Sequence, residues 1–421
     1  INTFKATRIR SVAREVTQNS LDASVQKPVK LKVEPFILTR QKAPEFFTIL
    51  SHLEACSSIA PEGEPAKFFT HAKALLKSET VSGLLFHDTN TSGLTGEIGG
   101  PGAWQALTRS AGVTQKASGN LGSFGHGARA PFALSGIRTV LYLTQINVNG
   151  KVERRAVGRS ILMSHLVGGK MSQGVGFFGQ GSEAAPLINS EIPGWLDELR
   201  PKNLGEGTTL LVFDVRGSSF PQKFEYELIR SYALAIEAGN LEVEVLGDTI
   251  GKPGLEERWN QILKTLESGS GHNSEVEPVD VENLKTIFAP QQRHTIDTAL
   301  GRCEIRLRSG GDVRSRSVAI ARGGGMMITS KPERLKVFTG LENFSCVVWV
   351  NDLAGSSELA KLENPAHDEF SKDWLSPDDN GAEPNSTWTK YLDFTSAVRA
   401  KLKDLFALSS SDTYDVKLLD S

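Results

Sequence analysis

The sequence predicts an α+β protein on three observations. Residues 28–38 alternate apolar and polar side chains, residues 43–56 and 65–77 carry apolar side chains at helical spacing, and short apolar runs recur at 81–86, 137–144 and 210–213. Strand and helix signals are interleaved along the chain rather than segregated.

Taken in order, the chain opens on a helix. With Val12 at zero and about 100° per residue, Ile9, Val12, Ala13, Val16 and Ala23 share one arc, and Glu15, Asn19 and Asp22 fall within about 60° of one another beside it. The strand at 28–38 sets Val29, Leu31 and Val33 against Lys30, Lys32 and Glu34. The helix at 43–56 starts with Pro44 and Glu45 and carries Phe46, Phe47, Ile49, Leu50 and Leu53; a second helix covers 65–77. The run at 81–86 ends on His87-Asp88 and breaks into Thr89-Asn90-Thr91-Ser92-Gly93-Leu94-Thr95-Gly96, a strand feeding a loop with an acid at its tip.

Four glycines fall within nine residues of Gly119-Asn120-Leu121-Gly122-Ser123-Phe124-Gly125-His126-Gly127, ahead of a short helix and a strand at 137–144. A hairpin at 148–166 turns on Asn149-Gly150, and 168–181 reads as a mobile glycine-rich segment. Gly207-Thr208-Thr209 then leads into the strand at 210–213, and a domain boundary is expected near Gly217. Beyond it the pattern predicts helices at 224–238 and 255–266, a strand at 241–246 and a polar stretch at 267–277. Strands at 302–308 and 313–321 meet at Ser309-Gly310-Gly311-Asp312; further strands at 326–329 and 346–350, a polar loop at 377–385 and a helix at 387–406 complete the chain.

Composition narrows the function classes. A length of 421 residues, 39% hydrophobic and 23% charged, suits a globular protein of two or three domains, and a net charge of −2 gives no global pull toward nucleic acid or membrane. Cys56, Cys303 and Cys346 are odd in number and far apart, which argues against a disulfide framework or a zinc site. No run reaches the ~18 apolar residues of a membrane span, and the N-terminus lacks the apolar stretch of a signal peptide. A cytoplasmic protein is expected, with a native segment preceding a sequence that opens almost inside its first helix.

Three polar residues on an amphipathic helix most often form its solvated face. Glu, Asn and Asp at i, i+4 and i+7 nevertheless supply only hard oxygen ligands and a proton acceptor, the chemistry of magnesium and water. Asp88 at a strand tip can accept a hydrogen bond from an exocyclic amine, and Gly93 lets a flat base lie against the backbone. The glycine-rich stretch frees backbone amides to converge on an anion, and a Walker-type loop is excluded because no Gly-Lys-Ser/Thr follows.

Together the Glu-x-x-x-Asn-x-x-Asp-Ala helix, the strand-end Asp followed by Gly, the glycine lid and the late Gly-Thr resemble the GHKL ATPases, the Bergerat-fold group that includes type II topoisomerases, heat-shock chaperones, histidine kinases, mismatch-repair proteins and MORC proteins. The resemblance spans residues 1–216 and implies an α/β sandwich, a mixed sheet with helices on one face, that binds ATP and Mg2+. It implies that Glu15 is the general base, that Asn19 holds the magnesium, and that Asp22 sits near the ribose and metal waters. It further implies that Asp88 reads the adenine amine, that Gly93 and Leu94 flank the base, and that Gly122, Ser123, Phe124, Gly125, His126 and Gly127 wrap the phosphates. Thr208 or Thr209 would hold the bridging water. Because histidine kinases lack a Glu base in this role, Glu15 favours hydrolysis over phosphorelay.

Two positions depart from the family pattern. Asn90 stands where the acid loop has its first glycine, with Gly93 one residue late, and Ala128 then Arg129 follow the last lid glycine where many relatives have Lys. Either Arg129 takes over a phosphate contact or turnover is slow, which leaves a non-catalytic nucleotide sensor as the alternative. Residues 217–375 resemble the transducer domain of topoisomerases, mismatch-repair and MORC proteins, with Lys331 the candidate to reach the γ-phosphate; 376–421 form a C-terminal loop and helix. The Ala-Arg-Gly-Gly-Gly-Met-Met-Ile segment and Glu363-Asn364-Pro365-Ala366-His367-Asp368 are most similar to bacterial MORC-like ATPases, a kinship that implies a homodimer and work in DNA handling or phage defence. Arg302, Arg306, Arg308, Arg314 and Arg316 share strand parity, and the basic face they imply would suit DNA phosphates or, equally, solvent.

Overall fold

The computed structural model describes residues 8–100, 102–108, 129–181, 184–217, 219–268, 276–364, 366–375 and 386–411. The chain divides into two compact units, Ile1–Ile229 with Ile236–Thr265, and Arg230–Ala235 with Leu266–Ser421. Each is mixed α and β. No helix among the described residues is long and apolar enough to cross a membrane.

The first unit begins with α1 (Arg8–Asp22), β1 (Val29–Thr39), α2 (Ile49–Ile59), α3 (Glu64–Lys77), β2 (Thr80–Thr89), α4 (Ala103–Thr108) and α5 (Ala130–Leu134). It continues through β3 (Thr139–Val148), β4 (Lys151–Ile161), β5 (His165–Val167), β6 (Lys170–Ser172), β7 (Val175–Phe178), β8 (Leu187–Ile188), α6 (Gly194–Asp197) and β9 (Gly207–Phe213). After α7 (Phe220–Glu237), β10 (Leu241–Val245), β11 (Asp248–Ile250) and α8 (Leu255–Ser268) close it. Its nine-stranded sheet runs β11-β10-β1-β2-β9-β3-β4-β7, with β8 on β4. Only β1 and β10 pair in parallel; the other pairings are antiparallel.

Helices cover both faces of this sheet, not the one expected. The central strands are apolar on both parities: all seven residues of β9 and the first eight of β3 are buried, so each face needs a cover. On one face Phe46 stacks on Phe213 at 4.5 Å between centroids, joining α3 residues Phe69, Ala72 and Leu76 and α6 residues Trp195 and Leu196 in one core. On the other, Phe224 of α7 meets Phe86 of β2 at 5.7 Å. α1 lies on this second face.

One further expectation differs from the structure. The boundary at 216/217 falls too early, because β10 pairs with β1 from Val29↔Leu241 to Val33↔Val245 and makes residues 241–250 part of the first sheet. The glycine-rich segment 168–181 contributes β6 and the edge strand β7.

The second unit holds α9 (Pro278–Phe288), β12 (Gln292–Thr298), β13 (Gly301–Ser309), β14 (Arg316–Arg322), β15 (Met326–Thr329), β16 (Phe344–Val350), α10 (Leu353–Ala360) and α11 (Thr387–Ser411). Strand order is β12-β13-β16-β14-β15, with β14 and β16 parallel. The strands at 302–308 and 313–321 therefore do not form a hairpin. β16, buried along its whole length, needs a partner on each edge and separates them.

The shared basic face expected of the arginines does not form. Arg306 is buried, donating from Nη1 to the Ile287 carbonyl at 2.8 Å and from Nε to Glu304 at 2.6 Å. Arg308 pairs with Asp312, and Arg316 donates to the Phe338 carbonyl at 2.9 Å; Arg302 and Arg314 are exposed. Backbone carbonyls and acids already hold three of the five.

Candidate functional site

Antiparallel register places three polar residues in one row across adjacent strands of the first sheet. His87 opposes Thr209, so Asp88 lies beside Thr208; Thr144 opposes Thr208 from β3. The row faces α1. Ser20 of that helix donates to Asp88 Oδ2 at 3.1 Å. Asp88 Oδ1 accepts from Thr91 Oγ1 at 2.5 Å and from the Thr208 backbone N–H at 2.7 Å.

Along α1 the polar row grades from inside to outside. Glu15 is buried, Asn19 half-buried and Asp22 exposed, and Asn19 Nδ2 donates to Glu15 Oε1 at 3.3 Å. Glu15 also acts on Tyr142, one row along β3. Burial is the main cause that pushes the Tyr142 phenol up, with the Glu15 charge adding to it and the Arg159 charge opposing.

The loop after β2 is tied to the end of α1. Ser92 N–H donates to the Ala23 carbonyl at 2.8 Å, and the N–H groups of Val25 and Gln26 both reach the Asn90 carbonyl. Asn90 has φ +63°, the left-handed conformation a glycine would hold without strain and that Asn tolerates better than most residues. Gly93, at φ +65°, has no room for a side chain: a Cβ would sit 2.6 Å from Thr144 Oγ1. That hydroxyl accepts from Leu94 N–H at 2.9 Å and donates to the Gly207 carbonyl at 2.9 Å, so it fastens the acid loop to β9.

Behind Asp88 lies a buried cation. Arg200, fully buried, donates from Nη1 and Nη2 to the Asp88 main-chain oxygen, both at 3.1 Å, and also reaches Thr209 Oγ1 at 3.2 Å and the Gly205 carbonyl at 3.0 Å. Burial dominates the electrostatics of both residues. It pushes the Asp88 carboxyl up despite its three hydrogen bonds and the Arg200 charge, and it pulls the Arg200 guanidinium down to about 10, with the Asp88 charge opposing.

The expected site residues thus separate. Glu15, Asn19, Asp88, Gly93, Leu94 and Thr208 come together around one end of α1. Thr209 does not join them: it alternates to the opposite face, where its hydroxyl meets His87 Nδ1 at 2.8 Å. Arg129 is the residue before α5, half-buried. Gly122, Ser123, Phe124, Gly125, His126 and Gly127 lie outside the described residues. Lys331 is an exposed residue of the second unit whose backbone N–H donates to Thr329 Oγ1 at 3.2 Å.

Ser20, Thr144 and Arg200 escape the sequence reading. Ser20 falls in the apolar arc with Val12 and Val16, and Thr144 is a lone hydroxyl in an apolar strand; a small polar residue at a buried position is the signal each offers. Arg200 stands between Leu199 and Pro201 in a loop and offers none. Among the described residues no group of three or more His, Cys, Asp or Glu is arranged to hold a metal ion. No protein-family model matches this chain, and no curated protein matches it.

Proposed function

We propose that the chain is a magnesium-dependent ATPase of the GHKL type. The first unit would be a Bergerat-fold nucleotide domain and the second a transducer-like domain, with nucleotide state driving conformational change or dimer closure. The observation that carries this reading is the junction of α1 with the tip of β2, where Ser20 bonds Asp88 and sets the Glu15–Asn19 helix beside the row Asp88, Thr208, Thr144.

A carboxylate offers about four lone-pair sites. Asp88 spends two on Oδ1 and one on Oδ2, which leaves capacity for an exocyclic amine. Asn19 commits its amide nitrogen to Glu15, which leaves its carbonyl oxygen as a hard ligand; one side-chain oxygen with phosphate oxygens is an ordinary magnesium donor set. Asn19 fits that role. Bound magnesium would neutralise phosphate charge. Glu15, held by Asn19 and shielded from bulk water, would orient and deprotonate the attacking water.

Calorimetry with a non-hydrolysable ATP analogue and magnesium tests the reading. The parent chain should bind, and Asp88→Asn should weaken binding by about 10–100-fold, the worth of one charge-assisted hydrogen bond. Equal affinity in the two proteins, or no binding by the parent, would remove the nucleotide site.

A further inference from the structure

We infer that Arg200 is a positioning residue of this site: it occupies the Asp88 main-chain oxygen, so that the carboxylate alone selects an exocyclic amine on the base. This rests on the ATP reading above.

A backbone carbonyl has two lone pairs. Arg200 fills both on Asp88, one from each terminal nitrogen, while the same two nitrogens are braced by Thr209 Oγ1 and the Gly205 carbonyl. A bound base therefore finds no acceptor in the Asp88 backbone. It finds only the open capacity of the carboxylate, whose other oxygen is fixed by Thr91 and the Thr208 N–H. The contact also explains the glycine before Thr208. Gly207 has φ +142°, and a Cβ there would lie 2.3 Å from the Asp88 carbonyl oxygen and 2.5 Å from Arg200 Nη2. No other residue lets the guanidinium approach.

Lysine cannot replace it. An ammonium is a compact charge without the planar fork that spans several acceptors at once. Arg154 supplies the comparison, for it braces the same loop without touching Asp88: Nη1 donates to Gln145 Oε1 at 2.7 Å, and Nη2 to the Asp197 and Arg200 carbonyls at 2.9 and 2.8 Å.

The test compares ATP with purine riboside triphosphate, which lacks the amine, by calorimetry on the full chain. The parent should prefer ATP by about 10–100-fold. In Arg200→Lys the Asp88 main chain loses its anchor and the carboxylate its fixed aim, so that ratio should fall toward unity, whereas in Arg154→Lys it should persist even if both ligands bind more weakly. A purely structural role for Arg200 would weaken both ligands alike; a ratio unchanged in Arg200→Lys overturns the inference and leaves the ATP reading standing. Should Arg200→Lys fail to fold, Thr209→Val removes one brace of the guanidinium and must lower the ratio, and an unchanged ratio there is equally fatal. A parent that binds neither triphosphate sinks the ATP reading itself and takes this inference with it.

Discussion

Two carboxylates, one in each unit, are withdrawn from solvent, Glu363 buried and Asp88 half-buried, and respond in opposite ways. Glu363 in the second unit is held below the usual carboxylate range: burial pushes it up, but Arg322 bonded to both of its oxygens and His367 Nδ1 at 2.6 Å outweigh burial. Asp88 in the first unit is pushed up by burial, which the Arg200 charge opposes without overcoming, since Arg200 donates to the main-chain oxygen rather than to the carboxylate. A carboxylate saturated by its own partners has nothing left to bind with and serves the fold. One denied its cation keeps acceptor capacity and an energetic reason to take a donor.

The largest effect expected from this contrast is on turnover. Glu15→Ala should lower the ATP hydrolysis rate by about 10²–10⁴-fold while leaving affinity for the ATP analogue close to that of the parent. A variant that hydrolyses at the parental rate would show that Glu15 is not the base.

Glu363→Gln probes the other side of the comparison. It leaves the Arg322 guanidinium buried without its counter-charge, and breaking such a pair typically costs about 3–5 kcal/mol, read as a shift in the denaturant midpoint. Nucleotide affinity should not follow. The sign with pH is set by linkage: a lowered folded pKa gives stability that is present above 4.5 and lost as pH falls through the folded value.

Asp88→Asn should behave oppositely, with large loss of binding and little change in stability. Asparagine can accept from the Thr208 N–H and Thr91 through Oδ1 and donate to Ser20 through Nδ2, so every bond in the row has a replacement. Because the Asp88 pKa is raised, the folded state binds the proton more tightly than the unfolded chain, and stability falls as pH rises from 3.8 through the folded value. The substitution removes that penalty. At neutral pH the variant should be within about 1 kcal/mol of the parent or above it; a collapse in the denaturation midpoint would make Asp88 a structural residue like Glu363.

How much of this was legible in the sequence depends on the range of the interactions. The α1 row, the β2 tip and the Asn149-Gly150 turn follow from periodicity and local backbone chemistry, and all three form where expected. Asn90 departs from the pattern in residue type, yet its φ of +63° lies in the region a glycine adopts freely, a conformation that residue type alone does not reveal. What failed was non-local. The pairing of β10 with β1, the insertion of β16 between β13 and β14, and the reach of Arg200 to Asp88 join residues far apart in sequence, and no local pattern encodes which strand edge is left open. The arginine face failed for the same reason: parity was read correctly along β13, but α9 covers Arg306 from a segment without a strong helical signal.

The smallest expected effect concerns the histidine behind the site. His87 is buried on the face opposite Asp88, with Nδ1 at 2.8 Å from Thr209 Oγ1 and Nε2 at 3.0 Å from Glu34 Oε1; Arg200 and Lys32 face it as well. The Glu34 carboxylate can only accept, which assigns the proton of the neutral ring to Nε2 and leaves Nδ1 to accept from the Thr209 hydroxyl. Burial lowers the His87 pKa below 6.5 although Glu34 opposes it. The unfolded chain therefore binds the proton first as pH falls. Stability should be fully present above 6.5 and decline toward the folded value, at no more than about 1.4 kcal/mol per pH unit for one proton. His52, lowered by burial and by His165, adds a contribution of the same sign, so His87→Gln should flatten the slope of urea stability between pH 7.5 and 5.5 without abolishing it. An unchanged slope would show that His87 titrates alike in the folded and the unfolded chain. A reduced slope would show that the folded state resists protonation of His87, as a ring whose Nδ1 accepts from the Thr209 hydroxyl must lose that bond on taking a second proton.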